Sequence, residues 1–417
     1  MVLPERYRKA AAIVIHLNIN GLGTVRALGR MGVPVIAITS GTNGPSEYTR
    51  SCHKIICKDL GTDENALIEC LLKIGMELQD KAVVFPSGDL YLAAVSEHRE
   101  LLSQYFLLPI AEKEVVRLIL SKTEFYRFAI EHKLPIAKTF FPGTLDDVKQ
   151  IAERIAYPCL IKPSVASKTW RQHGLKVITV YNGKDLVSQY ESASRIHHEF
   201  IIQEVTPGPD SALYFSLTYY DQASRPLAMF TGQKLRQFVP RYGVSSMAIS
   251  AWNPVVAEQT NVVLKALRFQ GYGSVEFKRH PVTGEYLMTE VTGRTWYPHA
   301  LSERCGLNLE YLTYKHMRGE TIDDIPRDFE EHVKWIDEVG DYLSARQYWQ
   351  EGELSLREWI RSYSGEKCWA IFARDDWKPG IRLTIQVAVD LVKVLLRPVY
   401  RLIKGILLGH AGSRRST

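Results

Sequence analysis

The first hundred residues restrict the fold more than any other part of the chain, because unbroken apolar runs and short helical segments alternate there. "AAIVIHL" (11–17) is one apolar run, "GTVRALGRMG" (23–32) a short helix, and "VPVIAIT" (33–39) a second run rich in β-branched residues. A run without polar alternation suits a strand buried on both faces, and a helix between two such runs makes a βαβ unit with parallel strands. The rhythm continues with "ALIECLLKIGMEL" (66–78) at helical spacing, "AVVFPSGD" (82–89) as a strand ending in a turn, and "LYLAAVSEHRELL" (90–102) as another helix. Residues 1–115 are therefore expected to form an α/β domain with a doubly wound parallel sheet.

A chain of 417 residues exceeds what one hydrophobic core serves, so further units should follow. "SKTEFYRFAIEHKLP" opens with Ser121, places Glu124 three residues later and closes on Pro135, the pattern of a capped helix. "YPCLIKPS" then reads as a buried strand ending in a lysine. "KVITVY", "FIIQEV", "ALYFSLTYY" and "LAMFTGQKLRQF" alternate or run apolar with turns between them, as antiparallel strands do. Residues 116–325 make a mixed α+β unit on this reading, and 326–417 an extension.

That extension ends in "WKPGIRLTIQVAVDLVKVLLRPVYRLIKGILLG", apolar but with Asp390, Lys393, Arg397, Arg401 and Lys404 recurring every three or four residues. Charges so frequent exclude an ordinary membrane-spanning helix. A basic stripe beside an apolar face suits a helix over 377–408 lying in a membrane surface, and it equally suits one docked on its own domain or on a dimer partner. Pro398 would kink it in any of these settings.

The net charge of +6 is mild for this length; it does not resemble a nucleic-acid footprint and fits anionic small molecules. Six cysteines are scattered without a CxxC pair, and no HExxH helix occurs, which argues against a disulfide framework or a zinc site and for a reducing cytosol. The N-terminal apolar run is followed at once by Asn18, Asn20, Gly21 and Gly23, so it reads as a first strand and not as a signal peptide. A cytoplasmic protein is expected, at the inner face of the membrane if the tail binds lipid.

Two acids stand out in "GSVEFKRHPVTGEYLMTEVTGRTWYPH" (273–299). If its halves pair as a hairpin about Thr283, Glu276 lies opposite Glu290, with Thr292 on the same face. Like charges directly opposite destabilise a sheet, so something positive should sit between them. A hard cation such as Mg²⁺ takes carboxylate oxygens and leaves positions for water and phosphate. A nucleotide-bound magnesium site needs further cations, and no GxxxxGK[ST] loop supplies them. Lys122, in the first turn of the capped helix, and Lys162, at the strand end, are the alternatives. On an open sheet face the acids would be merely solvated, and either lysine alone is ordinary surface.

The ordered set of Lys122, Lys162, "QEVTPGPD", "KLRQ", Glu276, Glu290 and Arg294 resembles the ATP-grasp superfamily, and within it the carboxylate-amine ligase group that includes D-aspartate ligase. The resemblance implies a small subdomain over 116–200 and a large one over 201–325 clasping ATP between their sheets, with ATP and Mg²⁺, or Mn²⁺, as cofactors. It implies that Lys122 and Lys162 hold phosphates, that Gln203, the Glu204 backbone and Val205 meet adenine, and that Asp210 takes the ribose hydroxyls. Glu276 and Glu290 would ligate the metal, with Thr292 standing where the family's ExNxR pattern has asparagine. Arg294 and Arg236 would neutralise the transferred phosphate and the oxyanion, with Lys234 and Arg241 as further cations. Asp89 would bind the amino group of an amino-acid substrate, or simply cap its turn. The implied reaction joins a small-molecule carboxylate to an amine through an acyl phosphate, and a cell-wall or polysaccharide precursor suits a membrane-surface tail. The loop "SVASKTWRQHG" lacks the glycine-rich character of many relatives, keeping Gly174 beside Lys168 and Arg171.

Two rivals remain. "NGLGTVRALG" follows a strand like a dinucleotide fingerprint, but Arg26 fills the third glycine position and Thr39 and Ser40 end the second strand without a ribose-binding acid. A catalytically degenerate nucleotide-binding scaffold at the membrane is the other, kept open by Thr292 and the tail.

Overall fold

The computed structural model describes residues 2–165, 177–322, 325–326 and 328–393. Five parallel strands form the first sheet: β1 (Ala12–Ile15), β2 (Val35–Thr39), β3 (His53–Ile56), β4 (Ala82–Pro86) and β5 (Phe106–Leu107), in the order β3-β2-β1-β4-β5. β1, β2 and β4 are buried at every position, which is why they read as continuous apolar runs. The strand order reverses between β1 and β4, and the crevice at their C-terminal ends receives Asn18, Asn20, Ser87 and Asp89.

A four-stranded antiparallel sheet follows, with β6 (Thr139–Phe140), β7 (Cys159–Pro163), β8 (Ile178–Val180) and β9 (Phe200–Glu204) in the order β6-β9-β7-β8. Its core, with Val148, Ile151, Ile161, Leu186 and Phe200, is separate from the rest. A unit with a core of its own is free to shift as a body. The helix Lys122–Glu131 leads into it; the Ser121 side chain accepts from Glu124 N at 3.3 Å, half of the reciprocal pair that the sequence suggested.

The third sheet holds β10 (Leu213–Tyr220), β11 (Pro226–Phe238), β12 (Val244–Ser250), β13 (Gly271–Arg279), β14 (Tyr286–Thr292), β15 (Lys334–Ile336) and β16 (Lys367–Trp369), ordered β14-β13-β10-β11-β12-β15-β16. Its apolar faces merge with those of the first sheet: Ile13, Ile15, Val275 and Phe277 share one core, and Val14, Leu22, Phe215 and Trp335 another. Two strands of this sheet, β15 and β16, come from the C-terminal extension, and the helix Glu338–Gln350 packs on β11 and β12. From 378 through 393 the chain is helical, and no helix among the described residues is long and apolar enough to cross a membrane.

Candidate active site

The hairpin of β13 and β14 pairs Glu276 with Glu290, as the spacing predicts, but by a different route. Around the turn Arg279 faces Tyr286 and Phe277 faces Met288, a register that alone would put Glu276 opposite Thr289. One extra residue, Thr289, bulges from β14 and shifts Glu290 into place. The Thr289 hydroxyl donates to Glu276 Oε1 at 2.9 Å, so the bulge also orients the first acid. Glu276 is buried and Glu290 exposed, while Thr292 is buried opposite Ser274.

The positive charge beside Glu276 is the Lys234 ammonium, which forms an ion pair with Glu276 Oε2. Lys234 is 2% exposed, mid-strand in β11, bonded to Gln237 Oε1 at 3.2 Å and 5.0 Å from the Trp296 ring centre. Its setting is a buried sheet face. Lys278, two residues past Glu276, is a cation that sequence reasoning passed over. Burial lowers its pKa while Asp210 and Glu276 pull it back up, so it stands within electrostatic reach of both acids.

Tyr126 joins the two sheets. Its hydroxyl donates to the Thr289 carbonyl at 3.1 Å, and the Lys162 ammonium lies 6.0 Å from its ring centre. Burial pushes its pKa up to about 12; a bond to Gln203 opposes this, and the charges of Glu290 and Glu276 add to it. Both acids therefore lie within electrostatic reach of the same buried hydroxyl. No motif marks a single tyrosine inside a capped helix, and only the tertiary fold shows its role.

On the small sheet, Lys162 Nζ donates to Gln203 Oε1 at 2.7 Å, and Gln203 Nε2 donates to Thr139 Oγ1 at 2.8 Å. Lys122 lies next to them, its backbone N–H bonded to the Ser164 carbonyl at 2.8 Å. The Glu204 side chain turns the other way, towards Ala156 N at 3.1 Å and Lys138 at 3.6 Å, and Val205 N donates to the Pro158 carbonyl at 3.3 Å. The loop residues Lys168, Arg171 and Gly174 lie outside the described residues.

Asp210, Arg236 and Arg241 are all held by the C-terminal extension. Arg236 makes a two-pronged bond to Asp341 at 2.7 and 2.9 Å and a third to Ser362 Oγ at 3.0 Å. Asp210 accepts from Arg241 N at 2.7 Å and from the Tyr348 hydroxyl, while the Arg241 guanidinium reaches Glu351 and Glu353. Arg294 instead spans back to the first domain: its Nε donates to Asp89 Oδ1 at 2.6 Å, and it feels the charge of Glu290. Two residues singled out on separate grounds thus meet.

The glycines of "NGLG" are used for packing. A Cβ on Gly21 would sit 2.0 Å from the His16 carbonyl oxygen, and one on Gly23 would sit 2.8 Å from His299. Arg26 is buried against Asp376 at 3.0 Å. Those demands account for the motif without a pyrophosphate.

The acids offer hard oxygen donors suited to magnesium. Among the described residues no group of three or more His, Cys, Asp or Glu side chains that could hold a metal ion converges.

No family model matches the chain. D-aspartate ligase of Enterococcus faecium (strain Aus0004) is 23% identical over 312 residues, 71% of this chain and 74% of that protein. Among solved structures, L-amino acid ligase from Bacillus licheniformis aligns with a TM-score of 0.58 at 16% identity, covering 76% of this chain and 78% of its own. The biotin carboxylase domain of Hydrogenobacter thermophilus 2-oxoglutarate carboxylase, crystallised with MgADP, ADP and bicarbonate, gives 0.59 at 16% identity over 78% and 74%. With its three sheets the chain shares the fold of these two solved structures, and its sequence is similar to D-aspartate ligase.

Proposed function

We propose that the protein couples ATP cleavage to amide formation between a small carboxylate and an amine, with an amino acid as one substrate. The observation that carries this reading is the convergence on Tyr126 of Lys162 and Gln203 from the small sheet and Glu276 and Glu290 from the large one. Lys122 and Lys162 would meet the phosphates, Gln203, Glu204 and Val205 the adenine, and Asp210 the ribose. Glu276 and Glu290 would hold Mg²⁺, or Mn²⁺ in its place, with Thr292 as a weaker oxygen ligand. The ion would neutralise phosphate charge when bound.

The carboxylate attacks the γ-phosphorus, ADP leaves, and the amine then displaces phosphate from the acyl carbon. Phosphoryl transfer of this kind depends on positioning and charge neutralisation more than on a strong base. Arg294 and Lys234, beside the acids, supply that charge. Arg236, locked to Asp341, would act on the reacting oxygens only from a fixed position. Asp89, already paired with Arg294, would receive the amino group of the substrate.

The tail over 377–408 suits contact with a membrane surface, and a peptidoglycan or polysaccharide precursor made there would be the second substrate. ADP release across amino acids of both configurations, with and without such acceptors, tests the reading. Glu290→Gln and Lys162→Ala should each cut ADP release by about a hundredfold or more. Turnover unchanged in both variants overturns the site, and nucleotide binding without any ADP release would favour a scaffold.

A further inference from the structure

The helix Glu338–Gln350 has two dissimilar sides. Its inner side, with Gly340, Asp341, Ser344, Ala345 and Tyr348, is buried. Val339, Tyr342, Leu343, Arg346 and Trp349 fall on the other side at 3.6 residues per turn, and all are exposed, Trp349 at 64%. The helix Leu356–Ser362 adds Leu356 at 61% and Ile360 at 64%, one turn apart. The rings of Tyr342 and Trp359, 6.2 Å apart, join the two helices.

The apolar surface runs on towards the tail. Glu338 accepts from the backbone of Ile371 and Phe372, and the exposed Phe372 ring lies where a Cβ on Gly380 would come within 2.7 Å. Beyond it Ile381, Ile385, Val389 and Val392 are exposed. Contiguous exposed apolar residues on this scale mark a docking surface.

Charge identifies the occupant. Every acid from 337 to 362 is already engaged: Asp337 with Gly340 N, Glu338 with backbone N–H groups, Asp341 with Arg236, Glu351 and Glu353 with Arg241, and Glu358 with Ser355. Arg346, Arg357 and Arg361 are exposed and make no salt bridge among the described residues. Residues 377–417 hold eight basic residues and one acid, so of the chain's 52 basic and 46 acidic residues the remainder has 44 against 45. The entire positive excess therefore sits in the tail.

We propose that the outer sides of these two helices and the exposed apolar residues of the described helix 378–393 form one docking surface for an anionic lipid bilayer. The proposal rests on the membrane reading of the tail and extends it to a folded part of the molecule. Tryptophan and tyrosine suit the headgroup layer, leucine and isoleucine the acyl boundary, and arginine stems cover apolar surface while their heads meet phosphate. A second copy of the chain would instead bring three arginines and a basic tail against their own like, which lipid phosphates avoid.

The experiment is co-sedimentation of the full chain with phosphatidylcholine vesicles and with vesicles containing phosphatidylglycerol. Trp349→Glu/Ile360→Glu tests the helices, and Arg397→Glu/Arg401→Glu/Lys404→Glu tests the tail, with ADP release as the control for folding. The wild-type chain should bind only the anionic vesicles, less at high salt, and each variant should partition roughly tenfold less. Unchanged partition of Trp349→Glu/Ile360→Glu overturns the proposal; if the tail variant alone loses binding, the tail reading survives by itself. A wild-type chain that ignores anionic vesicles overturns both. A dimer that this helix variant splits, without any effect on vesicles, makes the face a subunit interface and also overturns the proposal.

Discussion

At the scale of single residues, the site depends on how buried charges are matched. Lys234 on β11 and Glu276 on β13 are both nearly inaccessible and form their ion pair across the intervening strand β10. Removing one partner strands the other, which typically costs about 3–5 kcal/mol, whereas removing both costs much less. Lys234→Met should lower the urea midpoint sharply and Lys234→Met/Glu276→Gln should recover most of the loss; equal stability of the two variants would contradict this pairing. Glu276 and Glu290 were legible in the sequence because a strand carries acids inside apolar runs only for a reason. The burial of Lys234 left no local sign, because it packs on Trp296, which lies 62 positions further on in the sequence. Tyr126 left no trace at all, since its neighbours arrive from two other sheets.

At the scale of elements, the helix Glu338–Gln350 connects the site to the surface. Asp341 on its inner side accepts from Arg236, Trp359 Nε1 at 3.0 Å and the Tyr363 hydroxyl at 2.6 Å, and Tyr348 donates to Asp210. At its N-terminus Glu338 is half-buried, and desolvation lifts its pKa from 4.5 to about 7 although backbone N–H groups of Phe372 and Ile371 pull the other way. The folded chain therefore holds this proton more tightly than the unfolded chain. Its contribution is complete below about 4.5 and is lost as pH rises through 7. At 1.36 kcal/mol per unit the full effect is about 3 kcal/mol. Melting temperature should fall between pH 5 and 7.5 by this group's share, and Glu338→Gln should flatten that fall; parallel curves for the two proteins would refute it. The helix and its caps are local and readable, but the partners of its inner side lie on β11 and before β10. The hairpin shows the same division, since its turn was readable and its bulge at Thr289 was not.

At the scale of the whole molecule, the first domain and the large sheet share two cores while the small sheet keeps its own, so movement of the small sheet need not break the rest. Arg294 ties the first domain to the acids through Asp89, and burial holds its fork in place. Arg294→Lys keeps the charge but loses the planar fork. ADP release should drop about a hundredfold with little change in melting temperature; full activity of the lysine variant would remove Arg294 from the site. What the sequence determined by itself was whatever repeats along the chain: the parallel sheet from unbroken apolar runs, the antiparallel sheets from alternation, the capped helix, and the order of acids and lysines. These follow from neighbours a few residues apart, where spacing sets which side a residue faces. The tertiary structure alone decided which charges meet, that Arg236 and Asp210 belong to the C-terminal extension, that β15 and β16 complete the large sheet, and that "NGLG" packs on His16 and His299. Such pairings join residues as far as 350 positions apart, as Arg26 and Asp376 are, and only burial of a shared core brings them within reach of a hydrogen bond.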